Sequence, residues 1–288
     1  MSQGMRYRYT RNSINVAFVF GALGASVLTG PVLIRMLRGL YIGESAARNI
    51  LTKMRNMQTL DVSKTGRTPV YRLGHGLTEK YREIEGTAGR VAWDGSFHSL
   101  IYDIPERQRA FRDRFRYLAQ YTGYGLIRPG VMICPEDRLH RVAHFLRERP
   151  AGTNLFTARL DVHSLREARR MASVAWDLEP LAAGYRETLG TIRRARDDGF
   201  KAGADNGYWE GFVRWNRLYQ ELLTLQLADP ELPEELLPMD WPRSRFSESL
   251  HQLNSSWGPK IQPFLRTVAA QMDPAENCKF NPPRWGGD

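Results

Sequence analysis

Two rhythms of apolar and polar residues divide this chain. From Ile14 to about Leu23 apolar residues follow one another almost unbroken. From Pro31 to Leu40 they return at Val32, Leu33, Met36, Leu37 and Leu40, the spacing of a helix. The "TGP" before that second run is a helix-start signal that puts Pro31 in the first turn. "GLYIGES" then turns the chain, and Gly43 or Ser45 can cap a third helix running to about Met57. Strand-like residues flank Lys64-Thr65-Gly66-Arg67, where Gly66 supplies the positive φ of a tight hairpin turn; Pro69 is then tolerable on an outer strand with a free edge. Three short helices followed by a hairpin predict a winged helix-turn-helix over residues 1–90, with a poorly ordered polar start at "MSQGMRYRYT".

After "EGTAGRVAWD", a small-residue stretch suited to a domain boundary, the period changes. "SFHSLIYDIP" predicts a strand stopped by Pro105. "ERQRAFRDRFRYLAQYTG" predicts a helix with Phe111, Phe115 and Leu118 on one face and Gly123 at its end. Two strands around Pro129-Gly130, a helix from Glu136 to Arg149 and a last strand in "TNLFTARLDV" complete a βαββαβ order. That order predicts a ferredoxin-like domain over 91–163, with an antiparallel sheet and both helices on one face. From Ser164 to about Gln271 the signals are helical, interrupted by "DDGFKAGADNG" and "ADPELPEELLPMDWP", and five tryptophans lie there: Trp176, Trp209, Trp215, Trp241 and Trp257. A mainly α-helical domain is expected over 164–288, with a loose tail at "CKFNPPRWGGD". The fold class is therefore α+β in three parts.

Charge changes this picture. The 288 residues carry a formal net charge of +10, and residues 1–90 hold 14 Lys and Arg against 5 Asp and Glu, which leaves 27 against 26 for the rest. An excess confined to the first third points to a polyanion-binding module attached to neutral domains. Cys134 and Cys278 are far apart and form no CxxC pair, so neither a disulfide scaffold nor a cysteine zinc site is indicated, and a reducing cytoplasm fits. The uncharged run from Ile14 to Ile34 raises a signal peptide or a membrane span. Gly21, Gly24, Gly30 and Pro31 break it, and Asn15, Ser26 and Thr29 interrupt its apolarity, which argues for neither.

On a helical wheel, Ala47, Ile50, Met54 and Met57 form one stripe. The opposite face presents Ser45, Arg48, Asn49, Thr52, Lys53, Arg55 and Asn56, residue types that pair with base edges and phosphates in the major groove. Arg pairs bidentately with guanine and Asn with adenine, so Arg48 and Asn49, near the helix N-terminus, are the base-reading candidates. Thr52, Lys53 and Arg55 lie further along, where phosphate contacts are expected. Lys64 and Arg67 put charge at the hairpin tip, within reach of a neighbouring minor groove or its phosphates. A solvated amphipathic face is the commoner origin of such a helix; its combination with the basic hairpin and the localised charge favours double-stranded DNA.

Several stretches resemble the PaaX family of repressors of phenylacetic acid degradation: "GESAARNILTKMRNMQTL", "LIYDIPERQRAFRDRFRYLAQYTGYGLIRPGVMICP", and "VAWDLEPLAAGYRETLG" followed by "DPELPEELLPMDWP". The resemblance runs roughly from Ile14 to Ala270 and implies a winged helix, a ferredoxin-like domain and a helical domain in this order. It departs after the third helix, where the family's usual Asp-Gly pair is replaced by Met57-Gln58-Thr59, and at Lys201 to Gly207. It implies a homodimeric repressor on a palindromic operator, without a cofactor, released by an aryl-CoA thioester of which phenylacetyl-CoA is the prototype. Trp209, Trp215, Arg214 and Arg217 are candidates for contact with such an effector: most aromatic stripes are core, a minority line a pocket, and arginines beside one could meet anionic groups.

Weaker signals point elsewhere. The middle domain also resembles the small CRISPR-adaptation nuclease fold, in which an Asp at the end of the first strand can hold a metal; Asp103 has that place. No second carboxylate is positioned nearby by sequence, and an Asp before Ile104-Pro105 more often turns the chain. His140 and His144 lie four apart but lack the Glu and third ligand of a hydrolytic zinc helix, and Cys134 has no triad partner, so it is expected as a small buried hydrophobe. The expectation is a transcription regulator rather than an enzyme, with dimerisation as the use of the middle domain. The alternatives are a metal-dependent nuclease using Asp103 and an architectural DNA binder without sequence preference.

Overall fold

The computed structural model describes residues 11–74, 92–200, 205–230, 232–273 and 277–280. The opening decapeptide and most of the expected boundary near residue 90 lie outside these. The chain forms two compact units. One comprises Gly89–Gly184 with Leu227–Trp241; the other joins Ser2–Ala88 to Tyr185–Gln226 and Pro242–Asp288.

In the second of these, helix α1 (Arg11–Leu23), strand β1 (Ala25–Thr29), helices α2 (Gly30–Gly39) and α3 (Glu44–Asn56), and strands β2 (Leu60–Thr65) and β3 (Thr68–Leu73) follow in order. The near-continuous apolar run is a helix buried on every side: Ile14, Val16, Phe18, Val19, Phe20 and Leu23 are all nearly inaccessible. A helix apolar all round must be enclosed by protein or lipid. Here the enclosure is protein. Phe18 packs against Phe212, Trp215 and Tyr219 of helix α8 (Asp205–Ala228). Gln262 Nε2 and Arg266 Nε of helix α9 (Arg243–Met272) donate to the carbonyls of Ala22 and Leu23 at 3.1 and 3.0 Å, satisfying acceptors that a helix end leaves open. Among the described residues no helix is long and apolar enough to cross a membrane.

Strand β1 departs from the periodicity. It occupies Ala25–Thr29 inside the apolar run and pairs antiparallel with β3, giving the order β2-β3-β1. Two expectations change with it. Pro69 sits on the inner strand β3, not an outer one; it is tolerated because the β1 ladder ends at Thr29–Val70, one residue short of it. The tail is not wholly loose either: β8 (Lys279–Phe280) adds a fourth strand on the other side of β1, and Ser26 Oγ donates to the Lys279 carbonyl at 3.4 Å.

In the other unit, β4 (Ser96–Asp103), α4 (Arg109–Tyr121), β5 (Gly125–Arg128), β6 (Val131–Cys134), α5 (Leu139–Arg147) and β7 (Asn154–Asp161) form an antiparallel sheet of order β5-β6-β4-β7 with its two helices. Phe115 and Ala119 of α4 and Val142 and Phe145 of α5 pack with Leu100, Tyr102, Met132 and Leu155 of the strands into one core. A second core gathers Phe97 and Ile133 with Ala168 and Ala172 of α6 (Leu165–Trp176) and with Leu232, Leu236 and Leu237. Successive strand residues point to opposite faces, so the sheet is covered on both. Between these parts and α8, helix α7 spans Leu178–Asp197, and the division between the units falls within it.

Candidate nucleic-acid interface

Helix α3 starts after Gly43, which caps it without a side-chain hydrogen bond; Ser45 lies inside the first turn. Its acidic residue, Glu44, is in the first turn and Lys53 and Arg55 are in the last, the placement that suits the helix dipole. Ala47, Ile50 and Met54 face inward as the wheel predicts, joined by Leu51, while Met57 ends the helix half-buried. Ser45, Arg48, Asn49, Thr52, Lys53, Arg55 and Asn56 are all exposed.

The hairpin that follows is a two-residue turn. Thr65 pairs with Thr68, and Gly66 takes φ +59°, the left-handed region where a side chain would be strained. Lys64 and Arg67 stand exposed at the tip. At Met57-Gln58-Thr59, Gln58 takes φ +56°, a conformation in which glycine would be unstrained. The turn is held by Thr59, whose N–H and hydroxyl both donate to the Met54 carbonyl at 2.9 Å.

The cations of this face differ in their partners. Arg48 donates from Nη2 and Nε to Glu44 Oε1 at 2.7 and 3.3 Å, and this contact, followed by the charges of Arg48 and Arg38, holds Glu44 below the usual carboxylate range. Arg55 reaches Asn56 Oδ1 at 3.4 Å. Among the described residues, Lys53, Arg55, Lys64 and Arg67 have no carboxylate within ion-pair distance. The face is therefore cationic, solvated and made of hydrogen-bond donors, fit for phosphates and base edges.

Residues outside the sequence-predicted set complete the surroundings. Arg35 and Arg38 of α2, one helical turn apart, and Tyr71 of β3 border a cleft of about 530 Å³ against Arg48 and Thr52. Burial pushes the Tyr71 phenol above its ordinary value, against the pull of Arg55 and Arg48. The Arg35–Arg38 spacing is a usable signal; the approach of Tyr71 is not, because it depends on strand pairing.

The four effector candidates lie on α8 in different surroundings. Trp215 is fully buried, its Nε1 donating to Asn254 Oδ1 at 3.0 Å. Trp209 is half-buried beneath Arg35, whose guanidinium lies 4.5 Å above its ring, and a Cβ on Gly39 would collide with that ring. Arg214 and Arg217 are exposed and pair with Asp198 and Glu221 at 3.4 and 3.2 Å. In the other unit, Asp103 closes β4 opposite Asn154 with its side chain exposed, and among the described residues no cluster of three or more metal-binding side chains occurs. His140 is exposed and His144 half-buried against Phe145, while Cys134 is fully buried and its thiol pushed up by that burial.

Residues 90–172 match the PaaX protein central Cas2-like domain and residues 176–267 the PaaX-like protein C-terminal domain, so the chain carries two domains of the PaaX family. Among individual proteins, it is 29% identical over 221 residues to the transcriptional repressor PaaX of Escherichia coli (strain K12), covering 73% of this chain and 67% of that one. A solved structure, the uncharacterized protein Rv0674 from Mycobacterium tuberculosis, shares the fold with a TM-score of 0.55 and 21% identity, over 88% of this chain and 99% of that chain.

Proposed function

We propose that this chain is a PaaX-type transcriptional repressor. In this reading α1-β1-α2-α3-β2-β3 is a winged helix-turn-helix, α3 lies in the major groove and the β2–β3 hairpin is its wing. The observation that carries it is the surface of α3: every residue assigned to DNA from the sequence is exposed, while the opposite stripe is buried. The likeness to a transcriptional repressor supports the same role. Within the interface, Arg48 and Asn49 read bases, and Ser45, Thr52, Lys53, Arg55, Lys64 and Arg67 hold phosphates or flank them.

The central sheet, ferredoxin-like in its strand order, serves to pair two copies in this proposal. Two recognition helices would then stand about one DNA turn, ~34–36 Å, or a multiple of it apart on a palindromic operator. An aryl-CoA thioester such as phenylacetyl-CoA is the proposed inducer; by linkage, a ligand that weakens DNA binding must itself bind the DNA complex more weakly. No bond is made or broken in this cycle.

Selection of duplexes from a random pool, followed by affinity measurements at fixed salt, tests the reading. A palindromic consensus bound by a dimer is expected, with affinity ~10³-fold or more above scrambled DNA. Equal affinity for both would mark an architectural binder. Incubation of duplex DNA with the protein and magnesium or manganese should leave it intact; cleavage abolished by Asp103→Ala would establish nuclease chemistry instead.

A further inference from the structure

We infer that the cleft between α2, α3 and β3 binds a small organic anion, and that its occupant excludes DNA. Three arginines, Arg35, Arg38 and Arg48, line this cleft with one acidic residue, Glu44. With Glu44 ionised, as a carboxylate is at neutral pH, three arginines against one acidic residue leave the cleft a positive excess. Ile34, Leu51 and Pro69 add an apolar wall. A bare phosphate would leave that wall unused, whereas an anion carrying an apolar body covers both surfaces. The volume of about 530 Å³ lies within the usual span of small-molecule sites, ~300–1,000 Å³.

Two of the three arginines are already held by contacts within the protein. The Arg35 guanidinium carbon lies 4.5 Å from the centroid of the Trp209 ring, a cation–π contact that restrains the side chain. Arg48 is anchored through Nε and Nη2 to Glu44. Ordering of this kind lowers the entropy lost on binding. Tyr71, half-buried on β3 at the same cleft, adds a phenol that remains protonated at neutral pH and can donate.

Exclusion follows from shared residues. Arg48 and Thr52 border the cleft and also belong to the strip assigned to DNA, so an anion held by Arg48 takes donors that a base or phosphate would need. This half of the inference rests on the proposed function; the binding of the anion does not.

Phenyl phosphate, inorganic phosphate and phenol are suitable probes of the full chain, with calorimetry for binding and anisotropy of the selected duplex for exclusion. Phenyl phosphate should bind about tenfold or more tighter than either simpler probe, a gap of ~1.4 kcal/mol or more, and should displace the duplex. Arg38→Gln should lose about tenfold in phenyl phosphate affinity with its melting transition unchanged. Asn49→Ala, outside the cleft lining, should keep phenyl phosphate affinity while losing DNA discrimination. Phenyl phosphate binding no tighter than phenol or inorganic phosphate, or equally well to Arg38→Gln, would overturn the anion site. Simultaneous binding of probe and duplex without mutual weakening would overturn exclusion. If Arg38→Gln weakens DNA alone and phenyl phosphate does not bind, the cleft belongs to the DNA backbone and the inference falls. A wild-type chain that binds no DNA overturns the proposed function and the exclusion, while calorimetry still decides the anion site by itself.

Discussion

Helices α3 and α8 belong to the same compact unit, and both carry arginines beside an apolar stripe, yet they use that charge differently. On α8, Arg214 and Arg217 each meet a carboxylate, Asp198 and Glu221. On α3 only Arg48 does, and Lys53 and Arg55 face solvent with no carboxylate partner among the described residues. The inward faces differ as well. Helix α8 buries Phe212, Trp215, Leu218, Leu222 and Leu223, whereas α3 buries Ala47, Ile50, Leu51 and Met54. On α8 the carboxylates beside the two arginines cancel the net charge that this surface offers a polyanion, whereas on α3 the single carboxylate beside Arg48 leaves Lys53 and Arg55 uncompensated. Counting charges per segment does not separate these cases; locating the counter-charges does.

The largest expected effect breaks the comparison on its buried side. Trp215→Ala should destabilise the fold by ~3–5 kcal/mol, seen in denaturant unfolding, because it opens a cavity under α1 and strands the Asn254 acceptor. The exposed side should behave in the opposite way. Arg48→Ala should leave stability within ~0.5 kcal/mol of wild type but lose ~1–3 kcal/mol of discrimination between selected and mutated duplex. If it weakens both DNAs equally, Arg48 is a phosphate clamp and base reading must come from Asn49 or DNA shape.

Lys64→Ala or Arg67→Ala should weaken binding to all sequences alike and reduce the magnitude of the log K against log salt slope by about one. A salt series on selected and scrambled duplexes measures this, and slopes equal to wild type for both variants would remove the hairpin from the interface. Gln58→Gly relieves the left-handed backbone after α3 and is expected to stabilise by ~0.5–1 kcal/mol in denaturant unfolding, net of glycine's greater unfolded-state freedom. Arg217→Ala should be the mildest, with unfolding and DNA affinity both within ~0.5 kcal/mol of wild type, since its exposed pair with Glu221 contributes little.

Much of the candidate interface is legible in the amino-acid pattern. The α3 stripe follows from three-and-four spacing, the hairpin from Gly66 between strand-like residues, and the cationic face from residue type. The middle strands and helices fall where alternation, Pro105 and Gly123 indicate. Strand β1 is hidden because its five residues, Ala25–Thr29, continue an apolar run that has no alternation of its own. The misplacement of Pro69 on an outer strand has the same root: without β1 in view, β3 has no second neighbour.

Local pattern dictates the features whose causes act within a turn or two of chain: the amphipathic helices, the turn at Gly66, the concentration of positive charge in the first ninety residues. What those elements meet is settled by long-range packing. Lys279 pairs with Val27, Gln220 hydrogen-bonds Asn15, and Trp209 fills the space that Gly39 leaves open, across separations no local pattern can encode. The cleft of Arg35, Arg38, Arg48 and Tyr71 exists for the same reason. Packing of α2 against α3, and of β3 beside them, brings the Arg35–Arg38 pair, legible from its spacing, together with Arg48 and Tyr71, which no local pattern places there.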